Sequence, residues 1–539
     1  MKSYDYIIIG AGSSGCVVAN RLSANPDVSV CLIEAGGSNK QPWVSIPAGV
    51  FISYANKKHD FMYQGAPQEH LKNRVIMVNR GKGLGGSSSI NNMVYIRGNR
   101  KDYDTWEKLG CKGWSYDDVL PIFKKLENNQ AGQNPDYHGF DGEISVVKPQ
   151  DKNEVGQIFV AAGDYMGLPE NTDFNGKTQL GLGTFNIKQK NGARVSSYTA
   201  FVKPVLQSRS NLTVMTNTEV LSLTIENDQV SSVNIEQDGT AQKLNCNKEV
   251  ILSAGVIATP RILMASGVGN ADELDALSIA CKKDLKGVGE NLQDHIDAMV
   301  TVRSNSSRSI GVSLRTLLPH VFPAPFKYLL KRIGWWTTNY TEVGGFAQTK
   351  YAVASGDDPD VQFHFTPLYR SHRGRSFEFG HGYSLFTCVL RPKSRGTVKL
   401  ANDGTQRNVV IDHNFFAEEQ DRKILIEGIR KAREVLASPA FDKIRGEEMA
   451  PGKDIQTDEQ ILKYLRETTT TVYHPVGTCK MGVDELAVVD PETLKVIGMK
   501  NLRVIDASIM PKLISGNTSA PSMMIGEKGA MMILQDTSE

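Results

Sequence analysis

The chain of 539 residues carries almost no net charge: 61 Lys and Arg against 59 Asp and Glu leave +2 at pH 7. No surplus of positive charge therefore marks a nucleic-acid partner. Cysteine is sparse. The seven present (Cys16, Cys31, Cys111, Cys246, Cys281, Cys388 and Cys479) are odd in number, scattered and without a CxxC pair. That argues against a disulfide framework or a structural zinc site and for a reducing, cytoplasmic setting. Long apolar runs are missing too, so no stretch of about 18 uncharged residues can span a bilayer. Met1–Asp5 leads straight into a strand without the h-region and cleavage site of a signal peptide. Neither a His pair flanking a Glu at helical spacing nor a GxSxG elbow occurs. Zincin metal chemistry and an α/β-hydrolase triad are thereby unsupported.

What is present is a large, ordinary globular composition, 40% hydrophobic and 22% charged. At roughly 150 residues per domain the length predicts three or four structural units, and area scaling predicts that roughly 78% of the surface is buried. Glycine is the outlier, with 49 residues, and it gathers in short stretches.

The first stretch follows a strand-like run, Tyr6-Ile7-Ile8-Ile9, and reads Gly10-Ala11-Gly12-Ser13-Ser14-Gly15 before a helical Val17–Leu22. A second apolar strand, Val28–Ile33, ends in Glu34. In a βαβ unit Gly10 permits the tight turn, Gly12 lets the backbone approach a pyrophosphate, and Gly15 lets helix and strand pack closely. The helix N-terminus offers N–H groups to phosphate, and Glu34 can accept hydrogen bonds from a ribose diol. Dinucleotide binding follows; this fingerprint alone does not separate NAD from FAD.

A second cluster, Arg80-Gly81-Lys82-Gly83-Leu84-Gly85-Gly86-Ser87-Ser88-Ser89-Ile90-Asn91-Asn92, lies between apolar Val75–Val78 and Met93–Ile96. Those flanks favour backbone packed on a flat ligand over a flexible linker. Further motifs are Ala254–Gly269, Gly287–His295, His474–Gly482, Leu502–Ser508 and Gly516–Pro521. With these the chain resembles, over nearly its whole length, the glucose–methanol–choline (GMC) family of flavoprotein oxidoreductases. Within it the likeness is to bacterial alcohol dehydrogenases acting on aliphatic alcohols, then to choline dehydrogenases. Val256 stands where the family usually has a smaller residue.

The resemblance implies FAD rather than NAD. It implies that Gly10, Gly12, Ser13, Ser14, Gly15, Glu34 and Ala35 hold the ADP half, with Val220 beside the adenine. Arg80, Gly85, Gly86, Asn91, Asn92, Met93 and Val94 would line the flavin side, Ala254 would also touch the cofactor, and Asp506, Ala507, Asn517 and Thr518 would close over it. Some members attach FAD through a His at the position of Ile90, an aliphatic residue here, so the expectation is noncovalent FAD.

His474 lies in the aperiodic segment Tyr473–Cys479, as a loop on a rigid scaffold would, and imidazole suits proton transfer near neutrality. The resemblance assigns it as the base that takes the alcohol proton while hydride passes to flavin N5. It assigns Asn517 as the donor to the alkoxide oxygen. His295 is expected to be structural, and with Asp294 to satisfy backbone groups. His59, His70, His372 and His381 sit in polar stretches that read as solvated surface.

The implied fold class is mixed α/β plus α+β: a Rossmann-type FAD-binding domain with a discontinuous substrate domain on an antiparallel sheet. The FAD pieces would be 1–155, 191–300 and 467–539, and the substrate pieces 156–190 and 301–466. Alternating runs such as Val361–Phe365 and Gly396–Leu400 fit antiparallel strands. Phe363, His364 and Phe365 read either as pocket roof or, for each Phe, as core. Residues 314–336 mix large apolar residues, prolines and basic side chains. They read either as a cover over the substrate channel or as a contact with anionic lipid on the inner face of the cytoplasmic membrane. The expected activity is oxidation of primary alcohols to aldehydes, with electrons passed to a quinone or other non-oxygen acceptor. A choline dehydrogenase, an alcohol oxidase and a non-redox flavin-containing lyase are the alternatives.

Overall fold

The computed structural model describes residues 2–54, 56–150, 153–311, 313, 322–369 and 379–536. The apolar run at the start forms the strand Ser3–Ile9, buried on both faces at the centre of a seven-stranded sheet. Val30–Ile33 and then Leu212–Met215 lie parallel on one side of it. On the other side Thr240–Leu252 runs parallel, followed by Leu502–Val504. Only the second half of Thr240–Leu252 belongs to this parallel part; the first half joins an antiparallel ribbon with Thr218–Glu226 and Gln229–Gln237. Successive connections therefore leave Ser3–Ile9 in opposite directions. A crevice at the carboxyl ends of the strands is the consequence of that reversal. Helix Ser13–Leu22 packs on the C-terminal helix Ser519–Asp536, where Ser14 Oγ donates to the carbonyl of Ser522 at 2.6 Å.

A second seven-stranded sheet is antiparallel throughout. Its order is Arg445–Ala450, Ile296–Ser304, Gly382–Val389, Val361–Thr366, Val343–Ala347 and Gly181–Thr184, with Thr470–Thr471 beside the end of Ile296–Ser304. Helices Glu154–Tyr165, Glu419–Ala437 and Asp458–Thr468 pack around one apolar core with it. The period of two settles the reading of 361–366. Val361, Phe363 and Phe365 point into that core, Phe365 stacked on Phe159 at 4.7 Å, so both Phe side chains are core. Gln362 and His364 point to the opposite face.

The boundaries between chain pieces differ from those the sequence implies. Strand Ile296–Ser304 runs across residue 300, entirely within the antiparallel sheet. The hairpin of Thr397–Leu400 and Val409–Asp412 falls inside 301–466, yet Val398 and Ile411 share a cluster with Val256 and Ile257. Apolar patterning reports that a segment is buried, not which sheet buries it.

Candidate active site

Three glycine turns meet at the crevice. Gly10 has φ +104°, and a Cβ there would lie 2.4 Å from the Ser253 carbonyl oxygen; one on Gly15 would lie 1.9 Å from the oxygen of Gly10. The turn after the first strand thus exists only with glycine at these positions. The Glu34 carboxylate ties the three loops together, accepting from the N–H groups of Ala11 (3.0 Å), Gly36 (2.9 Å) and Gly83 (2.9 Å). Burial pushes its pKa up and these donors oppose the shift. Oε2 takes only one of these bonds, which leaves it a lone pair for a ribose hydroxyl.

Between the loops runs a cleft lined by Ser13, Ser14, Arg80, Gly86, Ala254, Asp506, Ala507 and Thr518, all expected at the cofactor. Phe61, Tyr63, Ser87, Val256, Ile257 and Pro475 line it as well and were not foreseen. These residues fit a dinucleotide. The first turn of Ser13–Leu22 carries no acidic residue, so its dipole meets an anion unopposed. Gly86 approaches so closely that a Cβ would lie 2.9 Å from Gly12 Cα. Arg80 lends a cation, held by the Tyr473 carbonyl (2.9 Å) and Ser87 Oγ (2.8 Å).

Gly85, Asn91, Asn92, Met93, Val94, Val220 and Ala35, also expected at the cofactor, are not among the residues that line this cleft. Asp506 accepts from Gly255 N–H (2.9 Å) and Thr259 Oγ1 (2.7 Å), fixing the turn at Ala254. Asn91 Oδ1 accepts from Met93 N–H and from Arg194, both at 3.0 Å, and the Asn92 carbonyl accepts from Asn339 at 2.7 Å. Val94 bridges to Ile187, and Gly85 and Met93 take positive φ. Val220 is buried in Thr218–Glu226 with its carbonyl taken by Arg261 (2.5 Å). Ala35 follows Glu34 at the strand end.

The structure brings His474 and Asn517 together, with Nε2 and Nδ2 3.1 Å apart. The loop bearing His474 is held by the stretch Gly287–His295: Gln293 and Val476 exchange backbone hydrogen bonds, and Asp294 Oδ1 accepts from His474 N–H at 2.8 Å. Tyr473 immediately before it sits at φ +64°, a left-handed conformation that surrounding contacts must enforce. Gln362 Nε2 donates to Asn517 Oδ1 (3.3 Å), which turns the amide so that its N–H faces the imidazole.

His295 does more than satisfy the backbone, because its Nδ1 lies 2.9 Å from His474 Nδ1 and its Nε2 lies 3.1 Å from the Leu390 carbonyl oxygen. A carbonyl only accepts, so His295 Nε2 carries the proton and its Nδ1 is the acceptor. His474 must then donate from Nδ1, and its Nε2 is the acceptor, its lone pair facing the Asn517 N–H. Burial holds both rings neutral. It drives His474 well below its ordinary pKa, with His295, His364 and Arg80 adding to the shift, and brings His295 down to about 4. His364 is likewise brought to about 4, by burial and by His295, while its contact with Asn517 opposes the shift.

The histidines read as surface behave differently. His59 is buried, with Nδ1 on Asn39 Oδ1 (2.8 Å) and Nε2 accepting from Trp43 (3.3 Å). His381 is half-buried against the Ser309 carbonyl (3.0 Å) and Ser313 Oγ (2.7 Å), and His70 is half-buried. His372 lies outside the described residues. Among the described residues no group of three or more potential ligands could hold a metal ion.

Models of the GMC oxidoreductase family match residues 4–297 and 392–526. An alcohol dehydrogenase [acceptor] of Pseudomonas putida is 43% identical over 99% of this chain and 96% of that protein. An oxygen-dependent choline dehydrogenase of Proteus mirabilis is 40% identical over 98% and 95%. Among solved structures, pyridoxine 4-oxidase from Mesorbium loti superposes with a TM-score of 0.88 at 27% identity, covering 99% of both chains. A formate oxidase from Aspergillus oryzae, studied for its FAD modification, gives 0.91 at 27% identity over 100% of this chain and 99% of that one. Matched along most of its length, the chain belongs to the GMC oxidoreductase family and is an FAD-dependent oxidoreductase.

Proposed function

We propose that this protein is an alcohol dehydrogenase that oxidises primary aliphatic alcohols to aldehydes and passes the electrons to an acceptor such as a quinone. The observation that carries the reading is the imidazole–carboxamide pair, two groups 3.1 Å apart with opposite hydrogen-bonding sense. Nε2 of His474 accepts the hydroxyl proton, and Asn517 Nδ2–H donates to the same oxygen as charge grows on it. FAD, when bound, supplies the acceptor for the hydride. The start of Ser13–Leu22 would hold its phosphates, Arg80, held by the Tyr473 carbonyl, would stand on the flavin side, and Ile90 offers no atom for a covalent link, so acid denaturation releases free flavin.

An apolar cluster of Val94, Ile96, Phe174, Phe185, Phe346 and Leu390 flanks Gly516 and His364, and it supports an aliphatic substrate. The activity of the Pseudomonas relative supports the reaction type. One observation favours a second reading, a cationic alcohol such as choline. Asp297 pairs with Cys388, which pairs with Gln362, so a buried carboxylate shares the roof face with the residue that holds Asn517. Glu342, a second buried acid, is engaged by Thr338 Oγ1 and by Asn153 N–H (3.4 Å).

Contact with a membrane would suit both a lipid-soluble alcohol and a quinone. Helix Ala324–Lys331 is anchored by buried Ala324 and Tyr328, while Phe326, Leu329 and Leu330 stand 70%, 69% and 81% exposed beside Lys327, Lys331 and Arg332. That face suits anionic lipid; residues 314–321 of the same stretch lie outside the described residues. No helix of the described residues is long and apolar enough to cross a membrane. A panel of alcohols and choline, assayed with oxygen and with an artificial acceptor, tests the reading. We expect primary aliphatic alcohols and the artificial acceptor to give the highest kcat/KM, and His474→Ala to lose at least about 100-fold in kcat. Preference for choline, peroxide as the main product, or an active His474→Ala holoenzyme would overturn it.

A further inference from the structure

Lys188 has no place in the chemistry above, yet it is one of the largest fully buried side chains of the molecule, 1% exposed. Its strand, Ile187–Lys190, lies against the flavin-side loop: Lys188 N–H donates to the Met93 carbonyl at 2.9 Å. Its side chain reaches Ser519 Oγ at 2.5 Å. Ser519 opens the C-terminal helix two residues after Asn517, and Thr518 and Ser522 on either side of it line the cleft. The ammonium thus stands between the two segments, Asn91–Val94 and Asn517–Ser522, that enclose the expected flavin ring.

Among the described ion pairs Lys188 has no carboxylate, and among the described hydrogen bonds one hydroxyl serves its three donors. Burying a cation on those terms is unfavourable. Burial lowers its pKa to about 7, with the buried Arg194 adding to the shift. Such an arrangement is stable when a negative charge arrives beside it. The start of helix Ser519–Asp536 adds positive potential at the same point.

We propose that Lys188, with the start of this helix, is the electropositive seat for the charge that bound FAD gains on reduction, and so sets its reduction potential. The inference rests on the reading that FAD lies in the cleft beside Asn517. The balance is simple. The carbinol C–H bond breaks and its electron pair leaves with hydrogen for FAD, the O–H proton goes to His474 Nε2, and the C=O bond forms. FAD gains two electrons, one proton and one negative charge, and Lys188 is the cation that meets it.

The test is made on the FAD-loaded enzyme by sulfite titration, because sulfite adds to the ring more tightly the more electron-poor it is, and by dye-equilibrated potentiometry. Lys188→Met keeps the volume and removes the charge; sulfite affinity should fall at least tenfold, equivalent to about 30 mV for a two-electron couple. Lys188→Arg, which keeps the charge, should stay within about threefold of wild type by the same scale. Ser519→Asp retains the lysine but neutralises it, at a position where Asp favours a helix start, and should also weaken sulfite binding. It serves as the deciding variant should Lys188→Met not fold. Sulfite affinity and potential unchanged in an FAD-loaded Lys188→Met or Ser519→Asp would overturn the role of Lys188 and leave the site reading standing. A wild-type protein that takes up no FAD would overturn the site reading itself.

Discussion

His295 touches neither the expected substrate nor the cleft, so its replacement isolates what the orientation of one proton is worth. In His295→Phe an aromatic ring of similar size keeps the edge-on contact with His474, but the acceptor for His474 Nδ1–H, now at 2.9 Å, is gone. An unpaired donor in a buried site costs about 1–3 kcal/mol. The imidazole avoids that cost by moving its proton to Nε2, where it occupies the lone pair needed for catalysis. The reactive tautomer then falls by roughly 5- to 150-fold, and kcat falls with it. Gln362 still holds Asn517, so the loss should fall mainly on kcat. Loss of the neighbouring imidazole, one of the causes of the depressed pKa of His474, should also move the acid limb of kcat/KM to higher pH. His295→Asn presents an amide oxygen to the same proton and should recover most of kcat, while its acid limb moves as in the Phe variant because the imidazole is gone from both. The measurement is steady-state kinetics from pH 5 to 9 on FAD-loaded protein. A His295→Phe enzyme with kcat within about threefold of wild type, or an Asn variant no better than Phe, would refute the tautomer argument.

Buried neutral histidines should also make stability depend on pH. His364 takes a proton near 6.5 when unfolded but only at about 4 when folded, so its contribution is full above pH 6.5 and is lost as pH falls towards 4. Between pH 7 and 5 that amounts to about 2 kcal/mol. Denaturant unfolding should show His364→Leu losing about that much less than wild type over the same interval. Gly15→Ala places a Cβ 1.9 Å from the Gly10 oxygen, so the protein should be recovered without flavin or not recovered folded, read from the ratio of flavin to protein absorbance. Leu329→Glu with Leu330→Glu should abolish sedimentation with anionic vesicles at low salt, while leaving alcohol oxidation in solution within about twofold of wild type, since both side chains face outward.

The glycine turn was legible in the sequence because its requirement is local: Gly10 and Gly15 must lack a Cβ whatever the rest of the chain does. His295 was not, because its partner lies 179 positions away, and the pairing of Gln293 with Val476 helps bring the two rings edge to face. The same limit explains His59. Lys57 and Lys58 give its neighbourhood a surface composition, but the fold closes Trp43 and Asn39 over the ring. In Val361–Thr366 the alternation was plain, while the choice of face was not; the helices covering Phe363 and Phe365 decide it, and they come from residues 154–165 and 419–468. Lys188 had no local signal at all. One Lys in a polar run, Lys188-Gln189-Lys190, reads as solvated until Met93 and Ser519 enclose it.

The dinucleotide loop lies at residues 10–15, but parts that complete its cleft are made some five hundred residues later. Leu502–Val504 adds the final parallel strand beside Val250–Leu252, and Gly526 packs so closely on the opening helix that a Cβ would lie 2.7 Å from the Ser14 oxygen. A nascent chain that has already folded its first βαβ unit therefore cannot retain flavin until nearly five hundred more residues have followed, about half a minute to two minutes at ribosomal speed. A chain truncated before the closing helix would leave the ribosome colourless and with the apolar face of Ser13–Leu22 bare, marked for aggregation or degradation.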